Sequence, residues 1–93
     1  MIQSFKDRET ERVFHQQLSR RLPPEIQSRA LHKLLLLDAA ESENDLRSPP
    51  ANHLEQLKAE RVGELSIRIN DQWRICFRFE GGNAYEVGIE DYH

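Results

Sequence analysis

Ninety-three residues, 38% of them hydrophobic and 31% charged, suffice for one compact domain and are too few for two. No apolar run approaches the roughly 20 residues that cross a membrane, and the formal net charge of −3 argues against binding nucleic acid by bulk charge alone. The N-terminus lacks the basic start and apolar stretch of a secretory signal, and the single cysteine, Cys76, cannot form an internal disulfide, so we expect a cytoplasmic protein.

The first half of the chain predicts a strand followed by two helices. Residues 1–5 alternate and predict a strand at or near a sheet edge. From Asp7, which can cap a helix, apolar residues recur at helical spacing. These residues are Val13, Phe14, Leu18 and Leu22. Pro23-Pro24 separates this helix from a second one over residues 25–40, whose broad apolar face is typical of a helix laid on a sheet. We therefore expect an antiparallel helical hairpin.

The middle of the chain joins the helical half to the strand half. Residues 41–52 are polar and end in Ser48-Pro49-Pro50, which cannot continue a helix or a central strand. This composition predicts an ordered loop or a linker within one domain. Beyond it, Leu54 and Leu57 fit either a helical turn or a short strand, and the sequence leaves that choice open.

From Ser66 to the end of the chain, three consecutive strands are predicted, with apolar residues at one parity. The apolar set is Ile67, Ile69, Trp73, Ile75, Phe77 and Phe79. The other set is Ser66, Arg68, Arg74, Cys76 and Arg78. We expect the apolar set to face the helices and the second set to form an open face. Within the second set, Cys76 is interpreted as a small filler and not as a reactive thiol, because the sequence identifies no activating neighbour.

The parities also constrain the two turns. For Ile67 to lie opposite Ile75, the first hairpin loop must hold an odd number of residues, which Asn70-Asp71-Gln72 provides. The same argument gives the second hairpin a three-residue loop, Gly81-Gly82-Asn83. It predicts the pairs Phe79 with Tyr85, Phe77 with Val87, and Ile75 with Ile89.

On the open face this register places Arg68 beside Arg74. Two adjacent arginines repel each other in the free protein, and an anion between them would relieve the repulsion, which indicates a phosphate site. The alternative is a solvated face, with Glu90 beside Arg74 and Glu86 beside Arg78 balancing the charge. No two histidines or acids have the spacing of metal ligands, so neither a metal nor another cofactor is expected.

Several motifs in the second half resemble one known family. They are Asp45-Leu46-Arg47-Ser48-Pro49-Pro50, Leu54-Glu55-x-Leu57, Arg61-x-Gly63, Ser66-Ile67-Arg68-Ile69-Asn70-x-Gln72-Trp73-Arg74-Ile75-Cys76-Phe77 and Glu90-Asp91-Tyr92-His93. Together with the chain length and the order of predicted elements, they resemble the HigB-type plasmid-maintenance killer proteins, toxins of the RelE/ParE superfamily.

The resemblance implies an α+β fold in which a helical hairpin packs on an antiparallel sheet, in the order β-α-α-β-β-β, as one domain over residues 1–93. It implies a toxin of a type II toxin–antitoxin pair that cleaves messenger RNA on the translating ribosome. The implied partners are the ribosome and messenger RNA, a HigA-like antitoxin with a helix-turn-helix, and, through the antitoxin complex, operator DNA.

Metal-free RNA cleavage by the 2′-oxygen needs a proton acceptor, a proton donor for the departing 5′-oxygen, and cations for the phosphorane. Histidine suits either proton role and arginine suits the charge. With the resemblance, His93 becomes the first candidate for proton transfer. Asp91 orients it or shares its role, and Tyr92 stacks on a base or acts as an acid. Arg74 and Arg68 are assigned to the phosphate. Lys58 and Arg61 are the further cations.

One position departs from part of the family. Some members carry a histidine at the position that corresponds to Glu55, and His53 lies two residues earlier here. Glu55 is therefore a candidate base, although an exposed glutamate with a pKa of about 4.3 is a weak one. Two other functions remain open at this point: a toxin that poisons DNA gyrase by binding, and a homologue without enzymatic activity that acts with its antitoxin as a repressor.

Overall fold

A four-stranded antiparallel sheet follows two helices in the chain. The computed structural model describes residues 1–91. Helices α1 (Arg8–Phe14) and α2 (Pro24–Ala39) precede strands β1 (Glu55–Gln56), β2 (Glu64–Arg68), β3 (Trp73–Glu80) and β4 (Asn83–Asp91). Neighbouring strands in the sheet are neighbours in the chain, and each pair is antiparallel. The predicted α+β fold is confirmed.

The N-terminal residues pair with the sheet without forming a regular strand. Ile2 and Phe5 make isolated parallel bridges to Ala84 and Val87 of β4. Between these bridges, Glu86 has a left-handed backbone (φ 54°), and its N–H bonds to the Ser4 hydroxyl instead of to a backbone carbonyl. The predicted strand over residues 1–5 is thus reduced to two short contacts, because β4 is irregular where it would pair.

Helix α1 begins as predicted and ends early. The Asp7 carboxylate accepts a hydrogen bond from the Thr10 N–H at 2.7 Å, as an N-cap does. The helix ends at Phe14, and Gln16 takes a left-handed backbone (φ 62°). The predicted extension of the apolar stripe to Leu18 is wrong, because that side chain lies beyond the left-handed turn and is 71% exposed.

Helix α2 covers one face of the sheet. Its buried apolar residues pack with those of the strands in one core. The core residues at the centre of this contact are Ile26, Ala30, Leu34, Leu37, Ile67, Ile75, Phe77 and Val87. Their side chains recur every three to four positions on the helix and every second position on the strands, which is why these segments form these elements. No helix of residues 1–91 has the length and apolarity that a membrane crossing requires.

The other face of the sheet is less open than its polar sequence predicts. Ser66, Arg74 and Cys76 are all buried, with exposures of 7% or less. Arg74 can be buried because its guanidinium donates to oxygens of Ser66 and His53. Within residues 1–91, every fully buried side-chain nitrogen and oxygen has a hydrogen-bond partner. The expectation that this set forms an open face is therefore wrong at these three positions and holds for Arg68 and Arg78, which are partly exposed.

The first hairpin has the predicted register and the second has a different one. Ile67 lies opposite Ile75, and the predicted Ile75–Ile89 pair also forms. Phe79, however, faces Ala84 instead of Tyr85. The turn holds only Gly81 and Gly82, both with positive φ, which suits a two-residue hairpin loop. A bulge opposite Phe77 then adds one residue to β4 and restores the parity of the rest of the strand.

The middle segment is an ordered loop, one of the two possibilities that the sequence leaves open. It forms short 3-10 turns over Glu43–Arg47 and Pro50–Asn52, and Leu46 and Asn52 are buried. The choice that the sequence left open at Leu54 and Leu57 is resolved in favour of a strand, since β1 lies between them and pairs with β2.

Candidate functional site

The guanidinium of Arg74 lies at the centre of the polar face. Its Nε donates to the Ser66 hydroxyl at 2.8 Å, and its Nη2 donates to the backbone carbonyls of Ser66, at 3.3 Å, and of His53. The other terminal nitrogen lies 4.0 Å from the Glu55 carboxylate. Arg74 is 7% exposed, so these contacts fix one orientation of a buried cation.

The elements that hold Arg74 come from three places in the chain. Ser66 is on β2 and Arg74 is on β3, where the antiparallel register sets them on the same face. His53 has a left-handed backbone (φ 44°) at the end of the Pro50–Asn52 turn, where its carbonyl accepts the hydrogen bond from Arg74. The sequence offered no signal for a backbone carbonyl, and it identified Ser66 only as a residue of the polar parity.

Arg68 is the cross-strand partner of Arg74, as predicted. Its guanidinium pairs with the carboxylate of Asp71 in the hairpin loop. The two arginines are therefore brought together by the sheet, but each has oxygen partners of its own. A bound anion would add to these contacts, and the free protein does not depend on one to relieve the repulsion.

Arg61 lies within an ion-pair cluster. It donates to both carboxylate oxygens of Glu64, at 2.9 and 3.1 Å, and to both of Glu90, at 2.8 and 2.7 Å. Lys6 also contacts Glu90, at 3.4 Å. Arg61 is only partly exposed and has two carboxylates around it, so in this state its charge is balanced. The role of Arg61 as a further cation for RNA stays a prediction.

The cluster changes the acidities of its members. Hydrogen bonds from Arg61 lower the pKa of Glu64 below its usual value. Burial raises the pKa of Glu90, but the hydrogen bonds and charge of Arg61 outweigh it and the net pKa is lowered. Burial, with the negative charge of Glu90, raises the pKa of the Cys76 thiol to about 11. Cys76 is thus a neutral buried thiol, in agreement with its predicted role as a filler.

The end of β4 lies beside the start of β3. Glu90 is the cross-strand partner of Arg74, and Asp91 is the partner of Trp73. The Asp91 carboxylate accepts a hydrogen bond from the Gln72 side chain at 3.1 Å and is exposed. Tyr92 and His93, two of the predicted catalytic residues, lie outside the described residues. The pairing of β3 with β4 places Asp91, the first residue of the Asp-Tyr-His sequence, beside the strand that carries Arg74.

The remaining predicted residues lie on and after β1. Glu55 is half exposed and pairs with Ser66 across the strands, and its carboxylate lies 4.0 Å from Nη1 of Arg74. Lys58 is exposed two residues beyond the end of the strand. Of the predicted set, the structure thus groups Glu55, Arg74 and Arg68 on neighbouring strands. Among residues 1–91, no group of three or more histidine, cysteine or acidic side chains is arranged to hold a metal ion.

This arrangement can bind an anion beside a half-exposed carboxylate. A buried, oriented guanidinium next to a second arginine is suited to a phosphate, which accepts several hydrogen bonds at once. Glu55 borders the same cation and could accept a proton from a group bound there.

Comparison with known proteins identifies relatives along the whole chain. Residues 3–93 match the model of a family described as the RelE-like toxin of the type II toxin–antitoxin system HigB. Toxin HigB-1 of Vibrio cholerae is 37% identical over 93 residues, covering 99% of this chain and 98% of the relative. A protein named endoribonuclease HigB, from Proteus vulgaris, is 33% identical over the full length of both chains. An uncharacterised protein of Haemophilus influenzae is 35% identical over 72 residues, 77% of this chain and 71% of its own length.

Proposed function

Because this chain belongs to the HigB-like family of RelE-like type II toxins, we propose that it is a ribosome-dependent endoribonuclease that cuts messenger RNA during translation. We propose further that a HigA-like helix-turn-helix antitoxin neutralises it, that the reaction needs no metal ion, and that it acts in the cytoplasm, where translating ribosomes are. The antitoxin would also carry the pair to operator DNA. The activity proposed is the one in the name of the Proteus vulgaris relative.

One observation supports the chemistry more than any other. The sheet register brings the start of the Asp-Tyr-His sequence next to Arg74, since Glu90 pairs with Arg74 and Asp91 with Trp73. Arg74, a candidate cation for the phosphorane, and Asp91, the first residue of that sequence, therefore lie at the same end of two paired strands. RNA cleavage requires a cation and groups for proton transfer around one phosphorus atom.

In the proposed reaction, the ribose 2′-oxygen loses its proton to a base and attacks the adjacent phosphorus. The bond from phosphorus to the 5′-oxygen breaks, and the leaving oxygen takes up a proton, which gives a 2′,3′-cyclic phosphate and a free 5′-hydroxyl. Arg74 stabilises the extra negative charge of the phosphorane, with Arg68 beside it. We assign proton transfer to His93, with Asp91 and Tyr92 in supporting roles, and a secondary role as base to Glu55.

The charge of the chain favours dependence on the ribosome. With a net charge of −3, the protein has weak long-range attraction for free RNA, because a large part of such affinity comes from neutralised phosphates. Arg61 adds little to that attraction, since Glu64 and Glu90 surround it. A substrate that the ribosome holds in place would compensate for the weak binding, because it reaches the site already oriented.

The test is expression of the chain alone in bacteria, followed by mapping of RNA ends. We expect growth arrest, cuts within translated messages, and relief of both in Arg74→Ala and His93→Ala. Arg78→Gln is the matched control, because Arg78 lies on the same strand and pairs with Glu86 instead of bordering the site. Growth arrest with DNA breaks and intact messages would contradict the proposal and indicate a gyrase poison.

A further inference from the structure

A cationic cleft lies beside the proposed site, at the end of the sheet where β2 turns into β3. Its volume is about 390 Å³. It opens between α2, the Pro50–Asn52 turn and the first hairpin, and it has four basic side chains in its lining. The residues that line it are Arg29, His32, Lys33, Ala51, Arg68, Ile69 and Asn70. We call it the α2 cleft.

Lys33 is the most unusual residue of the α2 cleft. It is 8% exposed, and its ammonium bonds to the side-chain oxygen of Asn52, a neutral group. Asn52 is held in that orientation because its amide nitrogen donates to the carbonyls of Leu46, at 3.1 Å, and Ser48, at 3.2 Å. Within residues 1–91, Lys33 makes no ion pair. Burial, with the charge of Arg29, lowers its pKa, as expected for an ammonium without a counter-ion.

Three further donors line the same cleft. Arg29 donates one hydrogen bond to the Ile69 carbonyl, at 3.3 Å, and is in no ion pair within the described part of the chain. The Asn70 side-chain oxygen accepts from the backbone N–H groups of Gln72 and Trp73, at 2.9 and 2.8 Å, which leaves its amide nitrogen as the donor. Arg68 shares its charge with Asp71. Two cations of the cleft, Arg29 and Lys33, therefore have no acidic partner among residues 1–91.

We propose that the α2 cleft binds a backbone phosphate of the RNA, one that neighbours the phosphate held at Arg74. This inference rests on the proposed endoribonuclease function and adds a binding site to it. A buried ammonium, a guanidinium and an amide donor suit the several acceptor oxygens of a phosphodiester. Arg68 connects the two positions, because it lines the cleft and is also the cross-strand partner of Arg74. An RNA strand bound at both arginines therefore contacts a residue that also lines the cleft.

The experiment measures binding without cleavage. The probe is a short oligoribonucleotide with a 2′-O-methyl group on every sugar, which removes the attacking hydroxyl. Its affinity for the purified chain is measured over a range of salt concentrations. The test variants are Lys33→Met, which keeps the buried stem and removes the charge, and Arg29→Gln. Arg20→Gln is the matched control, since Arg20 is exposed and lines a different cavity. Circular dichroism checks that each variant is folded.

Both test variants should weaken binding, and each should lower the slope of log affinity against log salt by about 0.7, the value for one phosphate contact on a single strand. Arg20→Gln should leave the slope unchanged. Equal slopes for the parent and for folded Arg29→Gln and Lys33→Met would overturn the proposal. So would a loss of antitoxin binding with unchanged oligonucleotide binding, which would assign the cleft to acidic side chains of that partner. Because the probe cannot be cut, the result is independent of whether the chain cleaves RNA, and the two proposals can fail separately.

Discussion

Replacement of Arg74 by lysine keeps the positive charge and removes the guanidinium's hydrogen bonds. It therefore tests whether the fixed orientation of this cation matters for cleavage. In the parent, the guanidinium donates through Nε to Ser66 and through Nη2 to two backbone carbonyls. A lysine ammonium is a single point charge and cannot reproduce this fork. We therefore expect the cation to lose its fixed position relative to a bound phosphate.

The magnitude follows from two separate effects. Loss of one positioned donor at a developing negative charge lowers kcat by about 10²- to 10³-fold, or about 2.7–4 kcal/mol of transition-state stabilisation. The folded state loses stability as well, because the Ser66 hydroxyl is fully buried and loses its donor, at a cost of about 1–3 kcal/mol. The variant should thus remain folded at low temperature and should be a poor enzyme.

The assay is single-turnover cleavage of a defined message on programmed ribosomes, with thermal unfolding of each variant measured in parallel. Arg78→Gln serves as the control on the same strand and should cleave at the parental rate. If folded Arg74→Lys cleaves as fast as the parent, the fixed guanidinium is not the catalytic cation and the reasoning from the structure is refuted.

Four other changes test separate parts of the molecule. Removal of His93, or its replacement by alanine, should abolish cleavage in a chain that still folds; full activity would remove it from the mechanism. Glu90→Gln should lower stability by about 1–3 kcal/mol at neutral pH, because it breaks the pairing with Arg61. The pKa of Glu90 is lowered in the folded state, so this contribution is present above the usual value of 4.5 and is lost as the pH falls through the lower folded value. A difference between parent and variant that persists in strong acid would contradict the assignment. Cys76, buried and with a pKa of about 11, should react with a thiol reagent only after unfolding; rapid labelling of the native chain would show otherwise. Finally, cleavage of messages on ribosomes should continue when the toxin has been treated with a chelator and returned to the ribosome buffer, and its loss would indicate a bound metal.

The sequence predicts the buried side of this protein well, because buried residues are apolar and recur at the period of the helix or the strand. Ile67 and Ile75 alternate with polar residues, and the structure pairs them as expected. Helix α2 has the predicted bounds to within a residue at each end. The loop of the second hairpin could not be predicted, because two arrangements place the same apolar residues on the buried face. A three-residue loop gives this placement directly, and the structure uses a two-residue loop with a bulge at Glu86.

The polar face was harder to predict, because polarity in a strand does not say whether a side chain meets water or another polar group. Arg74 and Ser66 have the same parity as exposed residues, yet they bury each other through a hydrogen bond. Arg61 is predicted to be a cation for RNA. In the structure it forms ion pairs with Glu64, three residues away in the chain, and with Glu90 on β4. The pairing with Glu90 can be recognised only once the fold is known.

The most direct measurement compares one message with and without the ribosome. The purified chain is incubated with a defined messenger RNA, either free or bound to translating ribosomes, and the new RNA ends are mapped by primer extension. We expect cuts inside the translated frame only when ribosomes are present, with 5′-hydroxyl ends, and none with Arg74→Ala. Equal cutting of free RNA, or an intact message on ribosomes with folded parent protein, would contradict the proposed ribosome-dependent cleavage.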